Sequence, residues 1–261
     1  EFGAYSDMFI ASNFNLFSDK FKSTLEKVDK VDVSRILETH NKSSVRIISA
    51  KDNEYPSDIK KLVDFPTFLY VKGNEMHRER KIAVVGTRKV TKFGKASCEK
   101  IVKDLLEYDI TIVSGLAEGI DTIALNIAVK KNNNPIAIVG TGLDIVYPFE
   151  NREIWEKIGR EGTIISEYPL GTSAQKWNFP KRNRLIAAIS NGVLVAESFH
   201  RGGSLITAEL AYSLDKEIFA IPGFINYPSF EGCNNLIKEN KAKLVTTGDR
   251  KSTRLNSSHE L

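Results

Sequence analysis

From residue 81 onward, short apolar runs alternate with longer segments in which apolar positions recur at helical spacing. The apolar runs are rich in valine and isoleucine, and each ends in glycine or a polar residue: KIAVVG, TIVSG, PIAIVG, TIISE, GVLVAE and EIFAIPG. Between them lie the helix candidates FGKASCEKIVKDLLEY, IDTIALNIAVKK, REIWEKIG, RNRLIAAIS and SLITAELAYSL. Continuous apolar strands that alternate with helices indicate a parallel sheet covered on both faces. The pattern predicts an α/β protein with a Rossmann-like, doubly wound, mostly parallel sheet.

The N-terminal residues have a different pattern. The segment from Phe14 to His40 is charged and weakly helical, and residues 44–74 mix two short strands with proline and glycine. We interpret residues 1–77 as a small helical and extended segment that leads into the core and adds a strand at the sheet edge. Residues 78–249 form the predicted Rossmann-like domain. The polar, aperiodic residues 250–261 are interpreted as a tail and a candidate for a non-native addition.

Composition is that of an ordinary soluble globular protein, with 41% hydrophobic and 27% charged residues in a chain of 261. Cys98 and Cys233 are far apart and lack CxxC spacing, and the 4 histidines are scattered. We therefore expect no metal site, no disulfide framework and a reducing, cytoplasmic environment. The sequence has neither a run of 18 apolar residues nor a signal-peptide pattern, so we expect no membrane span and no export.

The segment KWNFPKRNR, from Lys176 to Arg184, interleaves cations with two aromatic rings and contains no acid. Lysine and arginine neutralise phosphates, and a ring offers each unstacked base a face worth roughly 1–3 kcal/mol. This pattern is typical of a site for single-stranded nucleic acid. The alternative is a solvated basic helix start whose aromatics pack in the core, and the nonapeptide alone does not decide between the two.

Several strands run into glycine-rich turns, for example the turn after KIAVVG with Gly86, Thr87 and Arg88. Others are GLAEGID, TGLD and SFHRGGSLIT, the last with Arg201. Glycine lets a backbone approach phosphate closely, and the helix N-termini that follow supply N–H groups and a positive dipole end. Strand-to-helix turns favour glycine in any case, but four of them with two arginines favour a rim that binds anions.

Basic residues are concentrated near this rim. The stretch from Arg78 to Lys95 carries seven cations against the single acid Glu79, although Lys89 and Lys92 alone would also fit a dispersed, solvated surface. The net charge of +4 is modest and does not by itself demand an acidic partner. The surface is therefore predicted to be polarised, as a nucleic-acid site requires.

Known nucleotide and catalytic motifs fail. A P-loop needs serine or threonine where Ala96 follows Lys95, and GTGLDI has Ile145 where a dinucleotide fingerprint needs its third glycine. The acids near the glycine turns show no spacing that specifies acid–base catalysis. We interpret Asp121 as a helix-capping residue and Glu167 as the partner of a rim arginine. No cofactor is predicted.

The ordered motifs GTRKVTKFG, VSGLAEGID, GTGLDIVYP, ISEYPLGT, NFPKRNRLIAAIS, RGGSLITAELA, IPG and GCNNLIKENKAKLVT resemble the DNA-processing protein A family (DprA, also called Smf). The resemblance covers roughly residues 55–249. It implies a bacterial cytoplasmic protein of natural transformation that binds incoming single-stranded DNA, displaces single-strand-binding protein and loads RecA for recombination. It also implies that the protein is not an enzyme.

Carried over by position, the family's DNA pocket implies a set of contacts at the strand ends of this chain. Arg88 and Lys176 would hold phosphate, and Phe179 would stack on a base. The remaining implied contacts are Gly86, Thr87, Arg182, Asn183, Arg184, Gly203 and Ser204. The family dimerises through its last helix and strand, here about Asn234 to Val245. A homodimer is thus implied, with Leu236, Ile237, Leu244 and Val245 as its apolar contacts.

Two alternatives from other classes remain open. RGGSLITAE, Arg201 to Glu209, resembles the PGGxGTxxE motif of nucleoside-monophosphate phosphoribohydrolases with the lysine-decarboxylase-like fold. In that interpretation Glu209 and an arginine would cleave the N-glycosidic bond, but Leu205 and Ile206 replace the GT pair. A scaffold protein without a ligand would leave the basic aromatic segment unexplained. Release of free base from a nucleoside monophosphate would identify the hydrolase.

Overall fold

The computed structural model describes residues 32–76 and 80–248. The chain divides into two compact units, residues 1–42 and 43–261. In the first unit, helix α1 spans Val33–Lys42, and Asp32 caps its first turn by accepting a hydrogen bond from the Arg35 amide at 2.9 Å. Most of the predicted helical segment from Phe14 to His40 lies outside the described residues, as do Arg78, Glu79 and the predicted tail.

The second unit contains a 9-stranded sheet. Its strands are β1 (Arg46–Ser49), β2 (Phe68–Gly73), β3 (Lys81–Val85), β4 (Thr111–Ser114), β5 (Ile136–Val139), β6 (Thr163–Ser166), β7 (Gly192–Val195), β8 (Glu217–Ala220) and β9 (Lys243–Leu244). Its helices are α2 (Lys92–Leu106), α3 (Ile120–Lys130), α4 (Arg152–Glu161), α5 (Asn178–Ile189), α6 (Gly203–Ser213) and α7 (Glu231–Lys238). The predicted strands from β3 to β8 are all present.

The strand order is β1-β2-β6-β5-β4-β3-β7-β8-β9. From β6 to β9 in this order all neighbours are parallel, whereas β2 is antiparallel to both β1 and β6. The chain builds outward from β3 to β6 on one side of β3 and then crosses to β7 on the other. In such sheets ligands bind beyond the carboxyl ends of the strands, where the order switches. The predicted doubly wound, mostly parallel α/β fold is confirmed.

Helices cover both faces of the sheet. Ala83 and Val85 of β3 pack in a cluster with residues of α5 and α6, whereas Ile82 and Val84 pack in a second cluster with residues of α2 and α3. Successive side chains of a strand point to opposite faces. Because both faces are buried, the strands have continuous apolar runs instead of an alternating pattern.

Most of the basic aromatic segment, from Asn178 to Arg184, lies in a helix and not in a loop. The sequence predicted a helix from Arg182, but α5 begins at Asn178 and includes Pro180. Proline is compatible with the first turn, since its nitrogen would have no intrahelical partner there. The side chains from Asn178 to Arg184 therefore point in different directions around a helix axis, and only some of them can face one ligand.

Both cysteines are buried and form no disulfide. Burial raises the pKa of each thiol to about 12. Within residues 32–76 and 80–248, the structure has no group of three or more side chains suited to hold a metal ion. In the same residues, every helix is too short or too polar to cross a membrane.

Candidate functional site

A cleft of about 520 Å³ opens beyond the carboxyl ends of the central strands, at the switch in strand order. It is bordered by the turn after β3, the loop after β4 and the starts of α5 and α6. All predicted DNA contacts except Arg184 line this cleft, namely Gly86, Thr87, Arg88, Lys176, Phe179, Arg182, Asn183, Gly203 and Ser204. The fold thus gathers these predicted contacts from three separate segments into one site.

The turn after β3 is fixed by its neighbours. The Thr87 amide donates to the carbonyl oxygen of Glu197 at 2.7 Å, and the Ile120 amide donates to the Thr87 carbonyl at 3.2 Å. A Cβ atom on Gly86 would lie 2.5 Å from the Ile120 side chain, so only glycine fits. The Thr87 amide thus already has a hydrogen-bond partner. The group that this turn offers to a ligand is therefore the Arg88 side chain and not the Thr87 amide.

The start of α6 supplies a different kind of group to the cleft. Gly202 is its N-cap and provides no side-chain hydrogen bond, and the first turn contains no acid. The Ser204 hydroxyl donates to the Ser198 hydroxyl at 2.9 Å, which holds this turn against the end of β7. Uncapped helix N-termini bind anions through their N–H groups and positive dipole end. Gly203 and Ser204 line the cleft at this terminus.

One wall of the cleft is aromatic. The rings of Phe179 and Tyr147 lie 5.2 Å apart between centroids and are tilted by 33°. Phe179 is half-buried and Tyr147 is exposed, and both line the cleft. Asn178 fixes the wall, because its side-chain amide donates to the Gly140 carbonyl at 2.9 Å. Tyr147 was not predicted, although the motif GTGLDIVYP contains it; nothing in the sequence shows that it meets Phe179.

Helix geometry decides which residues of α5 reach the cleft. Positions three and four apart share a face, whereas positions two apart do not. Phe179, Asn183 and Ile186 follow this spacing, and all three line the cleft. Lys176 precedes the helix and is exposed at the cleft mouth. Arg182 and Arg184 are two residues apart and have separate surroundings.

Arg182 lies in the floor of the cleft. Its Nη1 donates to the carbonyls of Gly115, at 2.7 Å, and Ile138 at the ends of β4 and β5. Burial lowers the pKa of this guanidinium to about 10, against the charge of Asp121. Arg182 therefore holds two strand ends together and contributes positive charge at the floor of the cleft.

Asp121 is the buried acid of the site. Burial raises its pKa to about 6, against the charge of Arg182 and hydrogen bonds from backbone amides. Its Oδ2 accepts from the amides of Gly115 at 3.1 Å and Ala117 at 3.4 Å. The carboxylate thus holds the loop after β4, instead of capping α3 as the sequence interpretation had it.

Arg184 is the predicted contact that does not line the cleft. Its two terminal nitrogens donate to the two carboxylate oxygens of Glu167 at 3.0 and 2.9 Å, and its Nε donates to Asp64 at 2.9 Å. Burial alone would lower the pKa of Arg184, but the hydrogen bonds and charges of Glu167 and Asp64 outweigh it and raise that pKa. The structure thus gives this guanidinium carboxylate partners inside the protein. Glu167 thus pairs with an arginine, as the sequence interpretation had it, but with one that lies outside the cleft instead of at its rim.

The charges of the cleft favour an anionic ligand with flat groups. Arg88 and Lys176 are exposed, and no carboxylate of the described residues lies within 4 Å of either. The acid among the cleft-lining residues is Asp121, and backbone amides already engage it. Cations and a helix N-terminus attract phosphates, while aromatic faces accept unstacked bases. The cleft can therefore hold a phosphate backbone with bases against one wall.

The predicted dimer contacts fall into two groups. Leu236 and Val245 are buried in the core of their own chain, and Ile237 packs partly against that core. Leu244, on the edge strand β9, is 52% exposed. A partner can therefore reach Leu244 and part of Ile237, but not the other two side chains without rearrangement.

The residues of the hydrolase alternative do not meet in this cleft. Glu209 forms an ion pair with Lys241 at 3.0 Å on the outer side of α6. Neither Glu209 nor Arg201 lines the cleft. The structure therefore gives no support to N-glycosidic cleavage by Glu209 in this cleft.

The family model for DNA recombination-mediator protein A matches residues 46–256. The chain is 45% identical over 201 residues to DNA processing protein DprA of Streptococcus pneumoniae, covering 77% of this chain and 71% of that protein. It is 38% identical over 216 residues to Protein Smf of Synechocystis sp., covering 81% of this chain and 54% of that protein. The chain thus spans only about half the length of the second relative.

Two solved structures are similar over most of the chain. The X-ray structure of DNA processing protein A from Streptococcus pneumoniae superposes with a TM-score of 0.80 at 39% identity, covering 90% of this chain and 82% of that chain. A structure that shows the single-stranded DNA binding mode of DNA processing protein A from Helicobacter pylori gives a TM-score of 0.74 at 28% identity. That match covers 82% of this chain and 98% of the Helicobacter chain.

Proposed function

This chain belongs to the DNA recombination-mediator protein A family, and from that premise we propose that it binds single-stranded DNA in the cleft at the switch in strand order. The observation that carries the proposal is the combination of exposed cations, an uncapped helix N-terminus and an aromatic wall in one cleft. The Helicobacter relative, whose structure concerns single-stranded DNA, supports it.

Each part of the cleft has a separate task in this proposal. Arg88 and Lys176, which come from different segments of the chain, bind phosphates, and the start of α6 binds a further phosphate through backbone amides. Phe179 and Tyr147 present the face on which a base stacks. Arg182 holds the floor, because it ties together the ends of β4 and β5. Few side chains are suited to read base edges, so binding depends little on sequence.

The wider role we propose is the one that the sequence resemblance implies. The protein protects incoming single-stranded DNA during natural transformation, displaces single-strand-binding protein and helps to load RecA. It acts in the cytoplasm by binding, without catalysis. The similarity to DNA processing protein DprA of Streptococcus pneumoniae supports this role.

We expect tighter binding to single-stranded DNA than to a blunt duplex of the same sequence. Bases in a duplex are stacked on one another and cannot also stack on Phe179, whereas those of a single strand can. A gel-shift titration with both forms, at one salt concentration, measures the difference. Equal affinities for the two forms would rule out the proposed binding mode.

Replacing Arg88 or Lys176 by alanine should weaken binding uniformly across sequences. Each change should also reduce the slope of log K against log salt by ~0.7, the value for one contact with a single-strand phosphate. Anisotropy titrations at several salt concentrations measure the slope. Lys103→Ala is the matched control, since Lys103 is an exposed cation in the last turn of α2 and does not line the cleft. Slopes that stay at the unmodified value in both cleft variants would show that neither residue touches phosphate.

We also propose a homodimer that forms at the β9 edge of the sheet. A hollow of about 670 Å³ beside this edge is lined by Tyr212, Ile237 and Leu244, among others. Open sheet edges with apolar neighbours favour pairing with another chain. Leu244→Glu should shift the protein toward a folded monomer in light scattering, because Leu244 is exposed and supports no core. An unmodified protein that is monomeric at micromolar concentration would contradict this proposal.

A further inference from the structure

A second aromatic surface lies outside the cleft. Phe93, Phe224 and Tyr227 form it, and their side chains are 43%, 64% and 51% exposed. The ring centroids of Phe93 and Phe224 are 5.8 Å apart, and those of Phe224 and Tyr227 are 5.7 Å apart. We call these three residues the aromatic ledge. Isolated exposed rings are common on proteins, but a row of three in which Phe224 contacts both of the others forms an exposed apolar patch, and such patches mark binding sites.

The aromatic ledge is firmly anchored. Phe93 packs edge-on against the buried Phe230, with centroids 5.4 Å apart. The side chain of Asn234 bonds both the amide and the carbonyl of Gly223, each at 3.1 Å, and so fixes the start of the loop that carries Phe224 and Tyr227. A preorganised surface of this kind loses little conformational entropy when a ligand binds.

The aromatic ledge adjoins the cleft through two connections. Arg88 lines the cleft and Phe93 belongs to the ledge. The two positions are five apart in the chain, so their Cα atoms lie at most about 18 Å apart. The second connection runs through Phe199, which lines the cleft. The carbonyl of Ser198, the residue before Phe199, accepts a hydrogen bond from the amide of Gly232 at 2.8 Å. The segments that follow β3 and β7 therefore each lead from the cleft toward the part of the chain that carries the aromatic ledge.

The surface beside the aromatic ledge is basic. Lys89, Lys92 and Lys95 are exposed, and no carboxylate of the described residues lies within 4 Å of their amino groups. Residues 86–97 contain no acid, and Glu231 is the one acid in residues 223–231. Exposed rings that alternate with cations are the combination that single-stranded nucleic acid requires.

We propose that the aromatic ledge is a second base-stacking site, which takes the stretch of single-stranded DNA that leaves the cleft past Arg88. The inference rests on the proposed function. Lys89 and Lys92 would neutralise the phosphates between the two sites, and Phe224 and Tyr227 would each receive a base. The protein would then hold a longer stretch of the strand than the cleft alone accommodates.

The test compares two lengths of oligothymidylate, a short one of about 5 nucleotides and a longer one of about 20, by fluorescence anisotropy. Phe224→Ala should weaken binding of the longer strand roughly 5- to 150-fold, the loss that corresponds to one stacked base. Binding of the short strand should be unchanged, since it fills only the cleft. Phe224→Trp should retain the affinity for the longer strand, because any ring presents a face.

Tyr108→Ala is the matched control, because Tyr108 is an exposed ring just beyond the C-terminal end of α2, and the ledge residue Phe93 lies in the first turn of the same helix. Equal losses for Tyr108→Ala and Phe224→Ala would overturn the inference. So would an unchanged affinity of Phe224→Ala for the longer strand in a chain that binds both strands; the proposed function would then stand. Failure of the unmodified protein to bind either strand would remove the proposed function and the inference together.

Discussion

Replacing Arg184 by methionine should lower the free energy of unfolding by about 3–5 kcal/mol. The side chains of Arg184 and Glu167 are 8% and 5% exposed, and they form a two-point ion pair. Removal of the guanidinium leaves a buried carboxylate whose remaining cation, Lys181, lies 3.4 Å away and is half-exposed. The loss of a buried partner costs far more than the loss of a surface ion pair, because the other charge stays out of water.

Urea denaturation followed by circular dichroism measures this difference. Lys181→Met is the matched control, because it removes the second cation of Glu167 from the solvent side and should cost no more than about 1 kcal/mol. Well below its melting temperature, the Arg184→Met protein should bind single-stranded DNA with unchanged affinity and salt dependence. A variant of normal stability with weakened DNA binding would instead make Arg184 a direct contact, as the family resemblance implies.

Arg182 and Arg184 illustrate which features of the site could be predicted from the sequence and which could not. Positions two apart on a helix do not share a face. A helix that begins at Asn178 therefore predicts different surroundings for Arg182 and Arg184. Their partners could not have been found. Asp64 is 120 residues away from Arg184, and Gly115 is 67 residues away from Arg182. Contacts at such separation depend on the strand order, which local patterns do not specify.

The fold itself could be predicted from the sequence, because each central strand is a run of apolar residues and each covering helix has apolar residues at helical spacing. The strand order and the switch point did not follow, but the general rule for doubly wound sheets placed the ligand at the carboxyl ends. The residues brought together there agree with those implied by the family resemblance, except Arg184. The domain boundary between residues 77 and 78 stays a prediction, and strands β1 and β2 come from before it.

The predicted dimer contacts illustrate a second limit. An apolar residue near a chain end fits equally well in the core of its own subunit and in an interface. Leu236 packs in the cluster that α5 and α6 cover, and Val245 packs in the opposite cluster. Both therefore stabilise their own chain. A substitution at the exposed Leu244 can instead test the interface without disturbing the core.

Replacing Phe179 by alanine should weaken single-strand binding by roughly 1–3 kcal/mol, a loss of about 5- to 150-fold in affinity. The salt dependence should change little, because the ring neutralises no phosphate. Phe179→Tyr and Phe179→Trp should retain most of the affinity. The ring is half-buried and leans on Tyr147, so it can present a face to the cleft while it helps to hold the wall.

Stability and binding must be measured on the same Phe179→Ala protein, because a core role and a stacking role predict different pairs of results. A fully buried phenylalanine would cost about 3–5 kcal/mol of folding free energy on truncation, and binding would fall only as the fold is lost. We expect a smaller loss of stability, since the ring is part-exposed, together with the full loss of binding well below the melting temperature. Tyr147→Ala tests the other ring of the same wall: if a base stacks only on Phe179, this variant should lose less affinity than Phe179→Ala. Unchanged affinity in a Phe179→Ala protein of unchanged stability would remove the ring from the site, and the cleft would then bind its ligand by charge alone.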